Sequence, residues 1–198
     1  MSAPAFTLYG DRRSGNCLKI VFAADWLGLD YTFVDVDIMT GESRTPEFLA
    51  VNPAGQVPAV DFGDGKILAQ SNAALLYLAE NSALLPDDPF LRAKVNEWLF
   101  WEQYSHEPYV AVCRFRMLYE GKGADERDGW RVERGEQALD HMEAQLAGKS
   151  FLVGEALSVA DIALLAYTRV AHEGGFDLTT RPSLSAWIKR CETALELA

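Results

Sequence analysis

The chain has 198 residues, 49% hydrophobic and 24% charged, which is enough apolar material for a sizeable core and argues against wholesale disorder. With 18 Lys plus Arg against 29 Asp plus Glu, the net charge of −11 excludes a protein built to hold nucleic acid or an anionic membrane surface. Three Cys, at 17, 113 and 191, form neither a disulfide framework nor a four-ligand zinc pattern, so a reducing, cytoplasmic setting is expected.

The first eighty residues alternate between two periods. Phe6–Tyr9 reads as a short strand, followed by a helix with Cys17, Ile20, Val21, Ala24 and Leu27 on its buried face and Gly28 to stop it. Tyr31–Ile38 alternates as a second strand with Val34, Val36 and Ile38 on one face. Thr45–Ala50 is weakly helical and runs into the loop Asn52-Pro53-Ala54-Gly55. Val57–Phe62 and Lys66–Leu68 flank Gly63-Asp64-Gly65 as a hairpin, and a helix opens at Ser71 with Ala74, Leu75 and Leu78 inward.

From Leu84 the strand signal disappears. Asp88-Pro89 is a good helix start, and the apolar pattern then runs to about Tyr119 with Pro108 inside it, which predicts a kink near 106–108. After the charged loop 121–128, a second helix carries Val132, Leu139, Met142 and Leu146. A third is expected from Ser158 to about His172, and a fourth from about Ser183 to Leu195. The fold class is therefore an α/β domain in the order βαβ-α-ββα, followed by an all-helical bundle. The expected boundaries are 1–80, a linker at 81–87, and 88–198. The N-terminus MSAPAFTLYG turns polar too soon for a signal peptide, and the runs 73–79 and 162–171 are too short for a membrane span. The three His are dispersed, without ligand partners at metal-binding spacing.

This layout resembles the cytosolic glutathione transferases, whose first domain is thioredoxin-like. The short motifs agree: Ser14-Gly15-Asn16-Cys17 at the first loop-to-helix junction, Gln56-Val57-Pro58 before the third strand, and Gln70-Ser71-Asn72-Ala73 opening the third helix. Ser158-Val159-Ala160-Asp161, with Phe151-Leu152 upstream, lies in the helical domain. The resemblance covers essentially the whole chain.

The resemblance implies glutathione as co-substrate, a small electrophile as second substrate and a homodimer; the acidic charge, the short apolar runs and the dispersed His lead to no expectation of nucleic acid, membrane or metal. The resemblance also implies a cis Val57-Pro58 bond, whose bend lets the backbone of Val57 pair with the cysteinyl residue as if the tripeptide were an added strand. Gln70 and Ser71 would hold the γ-glutamyl end at a helix N-terminus, where free N–H groups suit a carboxylate. Many relatives carry an acidic residue where Gln70 stands. Ser71 is equally explained as a plain helix cap. Arg44, the only basic residue between 35 and 60, falls where relatives place the glycyl carboxylate, and Arg12 and Arg13 could raise the local positive potential or simply be exposed.

The chemistry needs a donor that favours the glutathione thiolate, because a free thiol titrates near 8.5. Ser14 matches the serine-type pattern Ser-x-Pro-Cys with Asn16 in place of Pro, so Ser14 leads, Asn16 supports or substitutes, and Tyr9 is the tyrosine-type alternative. Cys17, in helical phase with Ile20 and Val21, is read as core rather than nucleophile. Tyr104, Glu107, Arg114 and Phe115 are candidates to meet the second substrate, with His106 at the cap or surface. Ser158 and Asp161 form a capping box and are read as structural. The functional reading is a transferase. A maleylacetoacetate isomerase-like activity, thiol exchange and a non-catalytic binding module remain as alternatives.

Overall fold

The computed structural model describes residues 6–197; the short N-terminal segment weighed as a signal peptide falls largely outside them. The chain divides between Ser82 and Ala83 into two compact units. In the first, β1 (Phe6–Gly10) is followed by α1 (Gly15–Leu27), β2 (Tyr31–Asp35), α2 (Pro46–Val51), β3 (Ala59–Asp61), β4 (Ile67–Leu68) and α3 (Ser71–Ala79). The sheet order is β2-β1-β3-β4, with β1 parallel to β2 and antiparallel to β3.

Local chemistry explains the boundaries. Gly28 ends α1 in the left-handed conformation (φ 64°), and its N–H closes back on Ala24 and Asp25 carbonyls. Thr45 caps α2 by accepting from the Phe48 N–H, with Pro46 pre-set at the first helical position. Gly10 lies so close to α1 that a Cβ there would meet Cys17 Sγ at 2.8 Å, so the residue is small for packing reasons. Leu8 on this face of β1 is buried with Cys17 and Ile20, whereas Tyr9 points to the opposite face, packed with Phe48, Val36 and Ala59.

One strand expectation is corrected. The second strand ends at Asp35 and not at Ile38; Val34 is more exposed than Tyr31 and Phe33, but it shares with Val36 the face that lines the Tyr9–Phe48 cavity. Stacking of Phe6 on Tyr31 (5.4 Å) and of the Arg12 guanidinium over Phe33 (4.2 Å) fixes that register, and Val36 is buried only after the strand has ended.

The second unit is helical: α4 (Pro89–Trp101), α5 (Glu107–Leu118), α6 (Gly129–Leu146), α7 (Val159–Thr168) and α8 (Pro182–Ala194). Asp88 caps α4 through the Leu91 N–H. The expected kink is a π-helical turn over Glu102–His106 that joins α4 to α5 directly before Pro108. The wider turn swings His106 inward, where it is fully buried with Nε2 3.0 Å from Thr168 Oγ1, so the expectation of a cap or surface His is overturned.

Helix α7 is buried along its whole length and starts from the predicted capping box. The buried Asp161 carboxylate accepts from the Ser158 N–H and hydroxyl, the Leu152 N–H and the Trp187 indole N–H, at 2.7–3.0 Å. Burial raises its pKa, opposed by those four hydrogen bonds. Among the described residues no helix is long and apolar enough to cross a membrane, and no His, Cys, Asp and Glu cluster could hold a metal ion.

Candidate functional site

Three segments of the first unit come together at the carboxyl end of β1. The loop leaving β1 turns through Asp11–Ser14 into α1. Ala59 pairs with Tyr9 in an antiparallel ladder, so Val57-Pro58, just before β3, lies at that same end. The Val57-Pro58 bond is cis. Among the described residues no hydrogen bond uses the Val57 N–H or C=O, so both groups stand ready for an extended ligand.

The third segment is the first turn of α3, tied to α1 by side chains. Ser71 Oγ donates to Asn16 Oδ1 at 3.1 Å, and the Lys19 ammonium donates to Ser71 Oγ at 3.4 Å and Asn72 Oδ1 at 3.1 Å. Two helix N-termini therefore meet at Asn16 and Ser71, and both carry the positive end of a helix dipole. The N-cap of α3 is Gln70, which is exposed and makes no side-chain cap, and Ser71 is the first helical residue. Its expected capping role passes to Gln70 by position, and its hydroxyl bridges two helices instead.

Ser14 occupies the N-cap position of α1 without a side-chain capping bond. Its hydroxyl contacts the Cys17 thiol instead. Burial pushes that thiol up to about 11, against the lowering effect of the Ser14 hydrogen bond. Cys17 is thus a buried, protonated core residue at neutral pH. Arg12 is paired with Asp35 at 2.8 Å, and Arg13 with Asp11 at 3.2 Å, so their charges are answered by carboxylates beside them.

Arg44 reaches the loop that leads into Val57. Its Nη1 donates to the Ala54 carbonyl at 2.9 Å, and its guanidinium lies on Gly55, where a Cβ would come within 2.3 Å of it. Gly55 also has φ 62°, so a side chain is disfavoured twice over. The buried Asn52 holds the same loop, donating to the Gln56 carbonyl and accepting from the Ala54 N–H. Tyr9 stands apart from this convergence. It meets Phe48 edge-on at 6.4 Å and lines a cavity of about 350 Å³ on the α2 side of the sheet.

Comparison with known proteins identifies the family. Residues 4–80 match the model of the glutathione S-transferase N-terminal domain, and residues 124–190 that of the glutathione S-transferase C-terminal domain. Glutathione S-transferase 3 of Zea mays is 34% identical over 192 residues, covering 91% of this chain and 86% of that protein. The crystal structure of a glutathione S-transferase from Pseudomonas fluorescens is 50% identical, with a TM-score of 0.91 over 95% of this chain and 94% of that one. The chain belongs to the glutathione S-transferase family. A solved structure of Ure2p in complex with glutathione is also similar, at 25% identity and a TM-score of 0.87, over 99% of this chain and 98% of that one.

In the transferase's helical unit, the four residues expected to meet a second substrate are not alike. Tyr104 is 81% exposed on the π turn, and Glu107 is half-buried at the start of α5. Phe115 is half-buried and stacked on Tyr119 at 4.9 Å. Arg114 is buried, with its guanidinium held by Glu173 in an internal ion pair. Lys19 and Asn52 escaped the sequence reading. The available signal for Lys19 was a lysine directly before Ile20, between two positions of the buried stripe of α1. For Asn52 it was the Asn-Pro loop itself.

Proposed function

We propose that the chain is a glutathione transferase whose first unit binds glutathione and stabilises its thiolate for attack on a small electrophile. The observation that carries this reading is the junction of the first turns of α1 and α3 at Asn16 and Ser71, beside the cis Val57-Pro58 bond. Glutathione carries a carboxylate at each end and becomes an anion at sulfur, so it needs several positive or donating sites along one extended path. The first turn of α3, with Ser71 and the Gln70 amide, takes the γ-glutamyl end. The Val57 backbone takes the cysteinyl residue, and Arg44 takes the glycyl carboxylate from the far side of the loop. Sulfur then falls to the first turn of α1, with Ser14 and Asn16 as its donors.

A hydroxyl or amide donating to sulfur favours the thiolate over the thiol, and each pKa unit gained is worth about 1.4 kcal/mol. The second substrate falls to the helical unit, with Tyr104, Glu107 and Phe115 as candidates. In this reading residues 1–80 form the glutathione-binding domain, 81–87 the linker and 88–198 the substrate domain of a cytoplasmic homodimer in detoxification. Calorimetric titration with reduced glutathione, followed by turnover against a panel of electrophiles, tests it. Saturable binding with conjugate formation is expected; a flat titration would refute the reading.

A further inference from the structure

Lys19 is fully buried in α1, a position where an ionisable side chain is rarely found without a task. Its ammonium has three donors and no acceptor, so Ser71 Oγ must accept from it, through the 3.4 Å contact. That leaves the single Ser71 hydroxyl proton for Asn16 Oδ1, 3.1 Å away. An amide that accepts at Oδ1 can donate only at Nδ2, so the bond also fixes which way round the Asn16 amide stands. Asn16 is half-buried and therefore presents part of itself to a ligand.

We propose that Lys19 is a positioning residue that joins the two ends of the glutathione site into one hydrogen-bonded unit. The proposal rests on the reading above, in which glutathione lies along this surface. Proton order runs in one direction, from the Lys19 ammonium to the Ser71 hydroxyl to the Asn16 amide. A cationic donor at the head of such a chain polarises each later group, so Asn16 becomes a stronger donor to the thiolate than an isolated amide. The same ammonium also contacts Asn72 Oδ1 at 3.1 Å, in the first turn of α3. Its charge thereby adds to the helix dipole where the γ-glutamyl carboxylate is received. Lys19 touches neither sulfur nor substrate in this arrangement; it acts through Ser71 and Asn16.

The test uses Lys19→Met, which keeps much of the side-chain length and removes charge and donor, and Lys19→Gln, which keeps a donor without the charge. Two ligands are titrated calorimetrically: glutathione, and the analogue with γ-aminobutyrate in place of the γ-glutamyl residue, which lacks that end's carboxylate. The thiolate absorbance of bound glutathione is followed against pH. With both titrations run below the pKa of the bound thiol, Lys19→Met should weaken glutathione about ten-fold and the analogue less than two-fold. It should also raise the pKa of the bound thiol by about half a unit to one unit. Lys19→Gln should fall between it and the wild type.

Ser71→Ala cuts the chain at its middle. It should raise the thiol pKa by a similar amount, with no further rise when combined with either Lys19 variant. It also keeps the test open should Lys19→Met not fold. An unchanged thiol titration in Lys19→Gln and Ser71→Ala, or an equal loss of affinity for both ligands, overturns the proposal and leaves Lys19 a packing residue. A wild type that binds no glutathione overturns the underlying reading, and the relay with it.

Discussion

Ser14 and Asn16 share the first turn of α1, yet their side chains are committed in different directions. The Ser14 hydroxyl faces the buried Cys17 thiol, while Asn16 is held by Ser71 across to α3. Both lie at the dipole end that suits a thiolate, so both are expected to donate to sulfur. A hydrogen bond to a charged group contributes roughly 1.5–3 kcal/mol, or about ten- to a hundred-fold in the thiolate equilibrium if all of it is lost. Ser14→Ala and Asn16→Ala should each raise the pKa of bound glutathione and depress turnover at pH 7, with partial recovery at higher pH. Tyr9→Phe should leave the titration in place, because Tyr9 packs on Phe48 on the other side of the sheet. If Ser14→Ala has no effect and Asn16→Ala does, Ser14 is only the residue at which the helix begins. The sequence nominated all three donors only through the family resemblance. It could not separate them, because the Ser71–Asn16 bond spans 55 residues of chain and appears only once α1 and α3 have packed.

At the scale of elements, the helix starts were the most readable features, since caps are local chemistry. Asp88 and the Ser158–Asp161 box act where the sequence put them. Caps supplied from a distance were invisible, and α8 provides the example. Its start is served by Glu143 of α6, whose carboxylate accepts from the N–H groups of Ser183 at 3.1 Å and Leu184 at 2.7 Å. The Glu143 pKa is lowered from its ordinary value: partial burial works against the charge, and the backbone hydrogen bonds outweigh it. Because the folded-state value lies below the unfolded one, the stabilisation is complete above the unfolded value and fades as pH falls through the folded one. Loss of a cap costs about 1 kcal/mol. Glu143→Ala should therefore unfold at lower urea than wild type at pH 7, and the two curves should converge in acid. A gap that persists undiminished at pH 3 would mean that Glu143 acts by packing. The π turn was half legible. Pro108 announced an irregularity, but not that it would bury His106 against Thr168, which depends on the register of α7.

For the whole molecule, the two-part order was legible because strand and helix periods alternate through the first eighty residues and the strand period does not return after Leu84. What a sequence cannot give is which apolar side chains stay outside after each unit has closed its core. In the helical unit the three most exposed lie on α4 and the turn after it, Phe90 at 71%, Phe100 at 76% and Tyr104 at 81%, ahead of Trp130 on α6 at 58% and Leu118 on α5 at 40%. Phe100 and Tyr104 stand four residues apart, about one helical turn, so they share a side of the rod. Isolated exposed aromatics need no explanation, but neighbouring ones on a single helix side suggest a surface meant to be covered. The dimer proposal and the substrate proposal make different demands on this pair. If Phe100 lies in the contact between subunits, Phe100→Glu should give a monomeric mass by light scattering at micromolar concentration, where the wild type gives twice the chain mass. If Tyr104 meets the electrophile, Tyr104→Ala should raise the KM for the electrophile several-fold, with the mass and the affinity for glutathione unchanged. A Tyr104 variant that turns monomeric while keeping its KM would move Tyr104 from the substrate site to the interface. A wild type that is already monomeric would end the dimer proposal and leave Phe100 an ordinary exposed residue.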